Sequence, residues 1–223
     1  MTQTGEGQAA RWTGRYDLVV EASPNAMLIV DDAGRIALVN EAVERLFGYA
    51  RDELLGEPIE LLVPERFRAQ HPADRERYAA DPSARPMGKG RDLYARRKDG
   101  SEIPVEIGLN PITTDQGRFV LSVIIDITER KRAEERFRLV VEAAPNAMIM
   151  TDEQGRIVLA NSQAEALFGY TRAELAGMSV EMLVPERLRA DHPQSRARFF
   201  ADPATRAMGA GRDLHALHKD GTE

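Results

Sequence analysis

The chain has 223 residues, of which 43% are hydrophobic and 30% are charged, and its formal net charge is −6. This length suits two domains of about 100–120 residues, and the interspersed charges of an acidic chain give no electrostatic footprint for nucleic acid. The absence of cysteine excludes disulfides, thiolate metal sites and cysteine-based photochemistry. No apolar run reaches the roughly 18 residues of a membrane span, and the N-terminus lacks the apolar core of a secretory signal, so we expect a cytoplasmic module.

The sequence repeats a whole segment. Residues 19–102 and 140–223 align without a gap at an offset of 121, and 50 of the 84 aligned positions are identical. A period this long exceeds that of solenoid repeats and indicates a small domain duplicated in tandem. We therefore divide the chain into a flexible lead at 1–14, a first domain at 15–127, a helical linker at 128–143, and a second domain at 144–223 that lacks its last two strands. We expect the second domain to be less stable than the first, or to complete its sheet from another chain.

The first half of the first copy predicts a hairpin followed by helices. The apolar run at 26–31 and the apolar alternation at 35–40 are separated by the turn DDAG and predict two antiparallel strands. Asn40 is suited to cap a helix that ends at Gly48. Short helical pieces follow, and a longer helix is expected at about 72–80.

The second half of the first copy is rich in β-forming residues. Strands are predicted at 91–98, 102–112 and 118–127, and tight turns separate them. The order of strands and helices predicts an α+β fold with an antiparallel sheet and helices on one side.

The linker at 128–143 predicts a charged helix with one apolar stripe. Ala133, Phe137, Val140 and Ala144 recur at i, i+4, i+7 and i+11, which places them on one face. Two interpretations stay open. The stripe packs on its own domain, or it forms a two-stranded coiled coil in a homodimer.

Three motifs resemble the PAS family of sensory domains, namely NEAVERLFGYARDELLG, RRKDGSEIPVEI and SVIIDITERK. The first copy matches over about 15–130, and the second matches as far as it extends. The resemblance implies a five-stranded antiparallel sheet that is cupped by helices around a small cavity. PAS pairs usually precede a histidine kinase, a diguanylate cyclase or a chemoreceptor output, so the resemblance also implies a downstream signalling output domain, for example in a two-component system.

The resemblance implies a ligand cavity and a point of signal transfer. A ligand would contact inward-facing residues of the first two strands and the following helix, which we expect to be Met27, Ile29, Leu38, Asn40 and Phe47. Apolar residues at these positions can equally serve as ordinary core.

Signal transfer is expected at the strand-to-helix junction formed by Asp126, Ile127 and Thr128. An aspartate at such a junction can hold the first turn of the helix through hydrogen bonds and the helix dipole. The alternative is an ordinary helix cap without a signalling role.

The segments VPERFRAQH (63–71) and GKGR (88–91) resemble the haem-binding PAS domains of FixL-type oxygen-sensor kinases. The resemblance implies His71 as the axial iron ligand, Arg77 as a propionate partner and Arg91 as a donor to bound oxygen. The second copy repeats this set at His192, Arg198 and Arg212. Pro72 departs from the pattern because it disfavours helical geometry at the preceding residue. A cavity that is empty or holds another small ligand is the alternative.

No other polar pattern predicts chemistry. His215 and His218 stand three apart on an expected strand, so they would face opposite sides, and we predict no metal site other than a possible haem iron. No Ser/His/Asp arrangement or phosphate-binding glycine loop appears. We therefore expect a sensory input and dimerisation module rather than an enzyme, with haem-based oxygen or redox sensing as the alternative.

Overall fold

The computed structural model describes residues 20–87, 92–115, 117–204 and 213–223. The chain divides into two compact units, with the boundary between Arg132 and Ala133. The described part contains no helix that is both long enough and apolar enough to cross a membrane.

The first unit is an antiparallel sheet with helices inserted after its second strand. Its elements are β1 (Ala26–Asp31), β2 (Ile36–Val39), α1 (Glu41–Phe47), α2 (Arg51–Leu54), a 3-10 turn (Ile59–Leu62), α3 (Glu65–Arg68), α4 (His71–Ala80), β3 (Arg85–Pro86), β4 (Leu93–Arg96), β5 (Glu102–Thr114) and β6 (Gly117–Asp126). The strand order is β2-β1-β6-β5-β3, and β4 also pairs with β5. The predicted α+β fold is confirmed, with six strands rather than five because the two-residue β3 pairs with Gly108 and Leu109.

The hydrophobic core lies between the sheet and the helices. Leu28 of β1 and Val105 of β5 are buried against Phe47 of α1 and Leu54 of α2 in a single apolar cluster. Because successive residues of a strand point to opposite faces, this cluster identifies the sheet face that the helices cover.

Local signals position α1. Asn40 has extended backbone geometry and accepts a hydrogen bond from the amide of Val43, as an N-cap residue does. Gly48 ends the helix with φ of 76°, in the left-handed region that favours glycine, and its amide donates to the carbonyl of Glu44. Both features agree with the prediction from sequence.

The second unit repeats the first part of this plan. The linker helix α5 (Thr128–Glu142) leads into β7 (Ile149–Thr151), β8 (Ile157–Ala160), α6 (Ser162–Phe168), α7 (Arg172–Leu175), a 3-10 turn (Val180–Leu183), α8 (Glu186–Arg189) and α9 (His192–Ala201). A smaller apolar cluster of Ile157, Ala160, Ala164, Leu175 and Leu183 forms its core.

The expected strand around His215 and His218 is not present. Residues 213–218 form no strand, although their counterparts in the first unit include β4. In the first unit β4 pairs with β5, and the second unit has no described strand in the β5 position. An isolated extended segment has no partner for its backbone hydrogen bonds, so the local sequence alone does not produce a strand.

Candidate functional site

The strand-to-helix junction is built around Asp126, the last residue of β6. Its Oδ1 accepts a hydrogen bond from the amide of Thr128 at 2.8 Å, and its Oδ2 lies 3.4 Å from Nη2 of Arg97. The amide of Ile127 donates to the carbonyl of Pro104 at 3.1 Å, so the junction is also tied to β5. The expected hydrogen bond from the first turn to Asp126 is therefore present, while its role in signal transfer stays a prediction.

Two further ion pairs join the first turn of α5 to the sheet. Arg130 pairs with Glu106 of β5, and Nζ of Lys131 lies 2.8 Å from Oδ1 of Asp92. The hydrogen bond from Arg130 holds the pKa of Glu106 below its usual value. Water screens such exposed pairs, so we expect each of them to contribute little to the free energy of unfolding.

The other end of α5 is bonded within the second unit. The side-chain amide Nδ2 of Asn161 donates to the carbonyl of Val141 at 3.1 Å and to that of Asn146 at 2.9 Å. Glu142 accepts a hydrogen bond from the amide of Ser162 and pairs with Arg172 at 2.6 Å. The hydrogen bond with Ser162 and the charge of Arg172 lower the pKa of Glu142.

The same arrangement recurs around Asn40 in the first unit. Asn40 is completely buried, and its Oδ1 accepts hydrogen bonds from the amides of Met27 and Val43. Its Nδ2 donates to the carbonyls of Val20 at 3.0 Å and Asn25 at 2.9 Å. The polar atoms of Asn40 are thus hydrogen-bonded to the backbone, and its role in a ligand cavity stays a prediction.

The expected cavity residues do not share one side of the sheet. Phe47 is fully buried in the core cluster. Met27 and Ile29 alternate along β1 with the core residue Leu28, and Leu38 pairs with Ile29 across the hairpin. These three residues therefore lie on the sheet face opposite the core, and the expectation that they point inward is corrected.

His71 begins α4 and contacts a buried carboxylate. Its Nδ1 lies 2.9 Å from Oε1 of Glu60, which also lies 3.4 Å from Nε of Arg75. Burial raises the pKa of Glu60, but the hydrogen bond with His71 and the charge of Arg75 outweigh it, so the net pKa is lowered. Sequence reasoning missed this contact because the two residues stand eleven positions apart.

The second unit has the same cluster. Nδ1 of His192 lies 3.3 Å from Oε1 of Glu181, and Nε of Arg196 lies 3.1 Å from the same oxygen. Against the effect of burial, hydrogen bonds from Ser179, His192 and Arg196 lower the pKa of Glu181 to about 2. A Glu–His–Arg cluster is therefore part of both units.

The arginine of each cluster also covers a turn. A Cβ atom at Gly34, in the β1–β2 turn, would overlap the guanidinium of Arg75. A Cβ atom at Gly155 would overlap the guanidinium of Arg196 in the same way. The cluster therefore connects the long helix with the hairpin turn in both units.

The residues that the resemblance implies for haem binding fit a haem site only in part. A carboxylate on Nδ1 is the usual way of orienting a metal-bound imidazole, so His71 with Glu60 suits an axial ligand. Arg77 is 75% exposed and pairs with Asp74, and it projects about 120° around the helix from His71. Arg198 is likewise exposed. Arg91 and Arg212 lie outside the described residues.

No other metal site is apparent in the part of the chain that the structure covers, where no group of three or more His, Cys, Asp or Glu side chains could hold an ion. His218 instead pairs with Asp220, with 2.8 Å between Nδ1 and Oδ1.

Comparisons with known families identify both units. A PAS domain model matches residues 24–129, and a PAS fold model matches residues 135–216. The two matches together cover most of the chain and fall on the two units separately.

The chain belongs to the PAS family. It is a tandem pair of PAS domains, as the sequence motifs predicted.

The similar proteins include two sensors. The chain is 27% identical to the oxygen sensor protein DosP of Escherichia coli over 178 residues, which are 78% of this chain and 22% of that protein. It is 28% identical to the sensor protein FixL of Bradyrhizobium diazoefficiens over 120 residues, which are 54% of this chain and 24% of that protein. The chain spans less than a quarter of the length of either relative.

A kinase and a solved PAS domain are also similar to this chain. The cell-division control histidine kinase PdhS of Brucella ovis is 31% identical over 110 residues, covering 41% of this chain and 11% of that protein. A solved PAS domain of an HTR-like protein from Haloarcula marismortui is 26% identical, with a TM-score of 0.43, over 51% of this chain and 89% of that chain.

The buried asparagine is the residue whose importance the sequence understates. Its capping role follows from the sequence, but its bonds to several separate backbone segments do not. The repeat does contain a signal that could have singled out this residue. Asn40 and Asn161 occupy one aligned position, and the residues on both sides of it differ between the two copies. The preceding residues are Val39 and Ala160, and the following residues are Glu41 and Ser162.

Proposed function

We propose that these PAS units form a sensory input module whose signal leaves the first unit through Asp126, Ile127 and Thr128. The observation that carries the proposal is the 2.8 Å hydrogen bond from the Thr128 amide to Asp126, which makes the last strand of the sheet the cap of α5. The names of the relatives, two sensors and a histidine kinase, support a signalling role.

The physical basis of the coupling is the number of attachments at one helix end. The first turn of α5 is bonded to β6 through Asp126, to β5 through Glu106, and to Asp92, the residue before β4. A displacement of these strands by a ligand or partner changes the direction in which the helix leaves the sheet. The far end of α5 is bonded to Asn161, so the helix carries that change into the second unit's backbone.

Hydrogen–deuterium exchange of the full chain tests the coupling. In Asp126→Ala we expect faster exchange in the first turn of α5 and also at the amides near Val141. Glu129→Ala is the matched control, because Glu129 lies in the same turn and pairs with Arg132 of its own helix. If Asp126→Ala changed exchange only in the first turn of α5, Asp126 would be an ordinary helix cap. That result would contradict the proposal.

The module is also proposed to form a homodimer through α5. Phe137 is 54% exposed and Val140 is 71% exposed, and the stripe residue Ala133 is exposed as well. An apolar stripe left open on a charged helix favours the two-stranded coiled coil over packing on its own unit. The short stripe predicts a weak dimer.

Haem-based oxygen or redox sensing is the second candidate. It is favoured by the contact between Nδ1 of His71 and Glu60, which within the described residues leaves Nε2 without a hydrogen-bond partner. The similarity to an oxygen sensor points the same way. When bound, haem would supply the iron that takes up oxygen or changes redox state.

Absorption spectroscopy after haem reconstitution tests this candidate. A Soret band that is weakened in His71→Ala, lost when His192→Ala is added, and kept in His218→Ala would support it. A colourless protein would end it.

We assign the segment to the regulatory part of a histidine kinase or diguanylate cyclase rather than to the catalytic part. The support is that the matched segments are PAS domains, which regulate attached outputs. Autophosphorylation from ATP, or cyclase activity with GTP, by residues 1–223 alone would overturn this assignment.

A further inference from the structure

A carboxylate at the end of α5 contacts two helices of the second unit. Glu142, the last residue of α5, accepts a hydrogen bond from the amide of Ser162, where α6 begins. Oε2 of Glu142 also lies 2.6 Å from Nη2 of Arg172, the first residue of α7. One side chain therefore joins α5 to the beginnings of both α6 and α7.

Arg172 lies between this carboxylate and a second one, which belongs to Glu165 of α6. The backbone amide of Arg172 donates to Oε1 of Glu165 at 2.6 Å, and Nη2 of Arg172 lies 3.7 Å from Oε2 of Glu165. The same nitrogen thus faces both carboxylates but is hydrogen-bonded to Glu142. Moving Nη2 by about 1 Å towards Glu165 would bring it into the usual range of a charged hydrogen bond.

The first unit contains the same arrangement. Nη2 of Arg51 lies 2.9 Å from both carboxylate oxygens of Glu21 and 3.6 Å from Oε2 of Glu44. The amide of Arg51 donates to Oε1 of Glu44 at 2.8 Å, and the amide of Glu41 donates to Oε1 of Glu21 at 3.3 Å. In both units the arginine therefore has a near carboxylate on the segment that enters the unit and a far one on the helix after the first hairpin.

Solvent exposure keeps each of the two contacts of Arg172 weak. The side chains of Arg172, Glu142 and Glu165 are 48%, 38% and 33% exposed. Water screens ion pairs at this exposure, so neither carboxylate holds the guanidinium strongly. An element with two positions that are easily exchanged is what a protein needs in order to transmit a small displacement.

We propose that Arg172 is a two-position switch that transmits the position of α5 to the helices of the second unit. With the end of α5 in place, Nη2 pairs with Glu142, which also binds the amide of Ser162. When the end of α5 moves away, Nη2 pairs with Glu165, and the first turn of α6 loses its hydrogen bond. Because Phe168 at the end of α6 packs against the core of the unit, the change reaches that core. This inference rests on the coupling through α5 proposed above, and it makes Arg172 a positioning residue.

A fixed network of ion pairs is the alternative interpretation, and it leads to a different expectation. In a fixed network Arg172 bonds to both carboxylates at once, so removing one charge leaves its bond to the other unchanged. In the switch the two carboxylates compete for one nitrogen atom. Removing either charge therefore moves Nη2 to the remaining carboxylate.

Nuclear magnetic resonance of the Nε–Hε group of Arg172 in the full chain distinguishes these two interpretations. Arg172→Lys identifies the cross-peak by its loss while keeping the positive charge. We expect the cross-peak to shift in opposite directions in Glu142→Gln and Glu165→Gln. The wild-type peak should lie between them and nearer to that of Glu165→Gln, since Nη2 is hydrogen-bonded to Glu142. Glu186→Gln, at an exposed residue of α8, is the matched control and should leave the peak in place.

Hydrogen–deuterium exchange provides a second measurement of the same switch. Glu142→Gln should speed exchange at the amide of Ser162 by about 2- to 5-fold, as expected for the loss of one exposed charged contact. The amide of Arg172 should not exchange faster in this variant, because Glu165 still binds it. Glu165→Gln should have the reverse effect, with faster exchange at Arg172 and no change at Ser162.

An Asp126→Ala chain separates this proposal from the coupling on which it rests. If the end of α5 moves in this variant, the Arg172 cross-peak shifts towards its position in Glu142→Gln. If the peak stays in place while the two glutamine variants still shift it in opposite directions, the switch stands and the coupling from Asp126 fails. A peak that moves in the same direction in both glutamine variants, or in neither, would refute the switch.

Discussion

Asn161 donates from its side-chain amide to the carbonyl of Val141, 3.1 Å away in the last turn of α5. Asn40 makes the equivalent bond to the carbonyl of Val20 at 3.0 Å. Each PAS unit thus holds the end of the segment that enters it through one buried amide. Because each asparagine bonds to a helix end from within the unit's interior, we expect its substitution to change both the stability of the unit and the position of that helix end.

Asn161→Ala should destabilise the second unit by about 2–4 kcal/mol, because buried backbone groups lose their partners together with the N-cap of α6. Chemical denaturation followed by circular dichroism measures this loss. Asn146→Ala is the control, since the side chain of Asn146 is exposed and should change the free energy of unfolding by less than about 0.5 kcal/mol. Equal effects of the two substitutions would contradict the assigned role of Asn161.

Gly34→Ala should destabilise the first unit more than Gly56→Ala does. Both glycines have φ of 81°, but a Cβ at Gly34 would meet the guanidinium of Arg75, and a Cβ at Gly56 would meet nothing within 4 Å. Backbone strain costs about 1–2 kcal/mol at either site, and displacing Arg75 from Glu60 adds to it at Gly34 only. Urea unfolding measures the difference.

An Arg75→Ala background provides the check on this explanation. In that background the two alanine substitutions should become similar, because the displaced side chain is absent. A difference that persists would show that Arg75 is not its cause.

Acid should destabilise the second unit through Glu181. Its pKa in the folded state is about 2, below the usual 4.5, so its ionised form is stabilised by folding. This contribution is complete above about pH 4.5 and is lost as the pH falls from there towards 2. Glu181→Gln should flatten the dependence of the unfolding free energy on pH in this window. Glu153→Gln, at an exposed turn residue, should leave it unchanged.

Phe137→Glu should shift the chain from dimer to monomer. The substitution places a charge in the apolar stripe, where two copies of α5 would meet. Sedimentation equilibrium measures the change, and we expect the dimer dissociation constant to rise roughly 10-fold or more, since a charge buried in such a seam is costly. Arg136→Glu, next to the stripe on the exposed charged surface, should have a much smaller effect. A wild-type chain that is monomeric at high concentration would refute the dimer.

Local patterns predicted local structure well. The bounds of β1, the cap at Asn40 and the end of α1 at Gly48 follow from residues within a few positions of each other. The orientation of β1 did not follow, because five successive apolar residues at 26–30 carry no alternation that distinguishes the two faces.

Features that depend on distant partners were not predictable. The contact of Glu60 with His71 joins a 3-10 turn to a helix, and nothing in either segment indicates the other. The residues at 213–218 resemble β4 in sequence and lack its structure, since a strand requires a neighbour that supplies hydrogen bonds.

The length of α5 is itself a constraint on the protein. Its 15 residues rise by about 22 Å from Thr128 to Glu142 and make about four turns. Inserting one residue would turn the Val141 carbonyl by about 100° relative to Asp126, whereas inserting seven would nearly restore its phase. We therefore expect a one-residue insertion in α5 to disturb the hydrogen bonds at one of its two ends, and a seven-residue insertion to disturb them less.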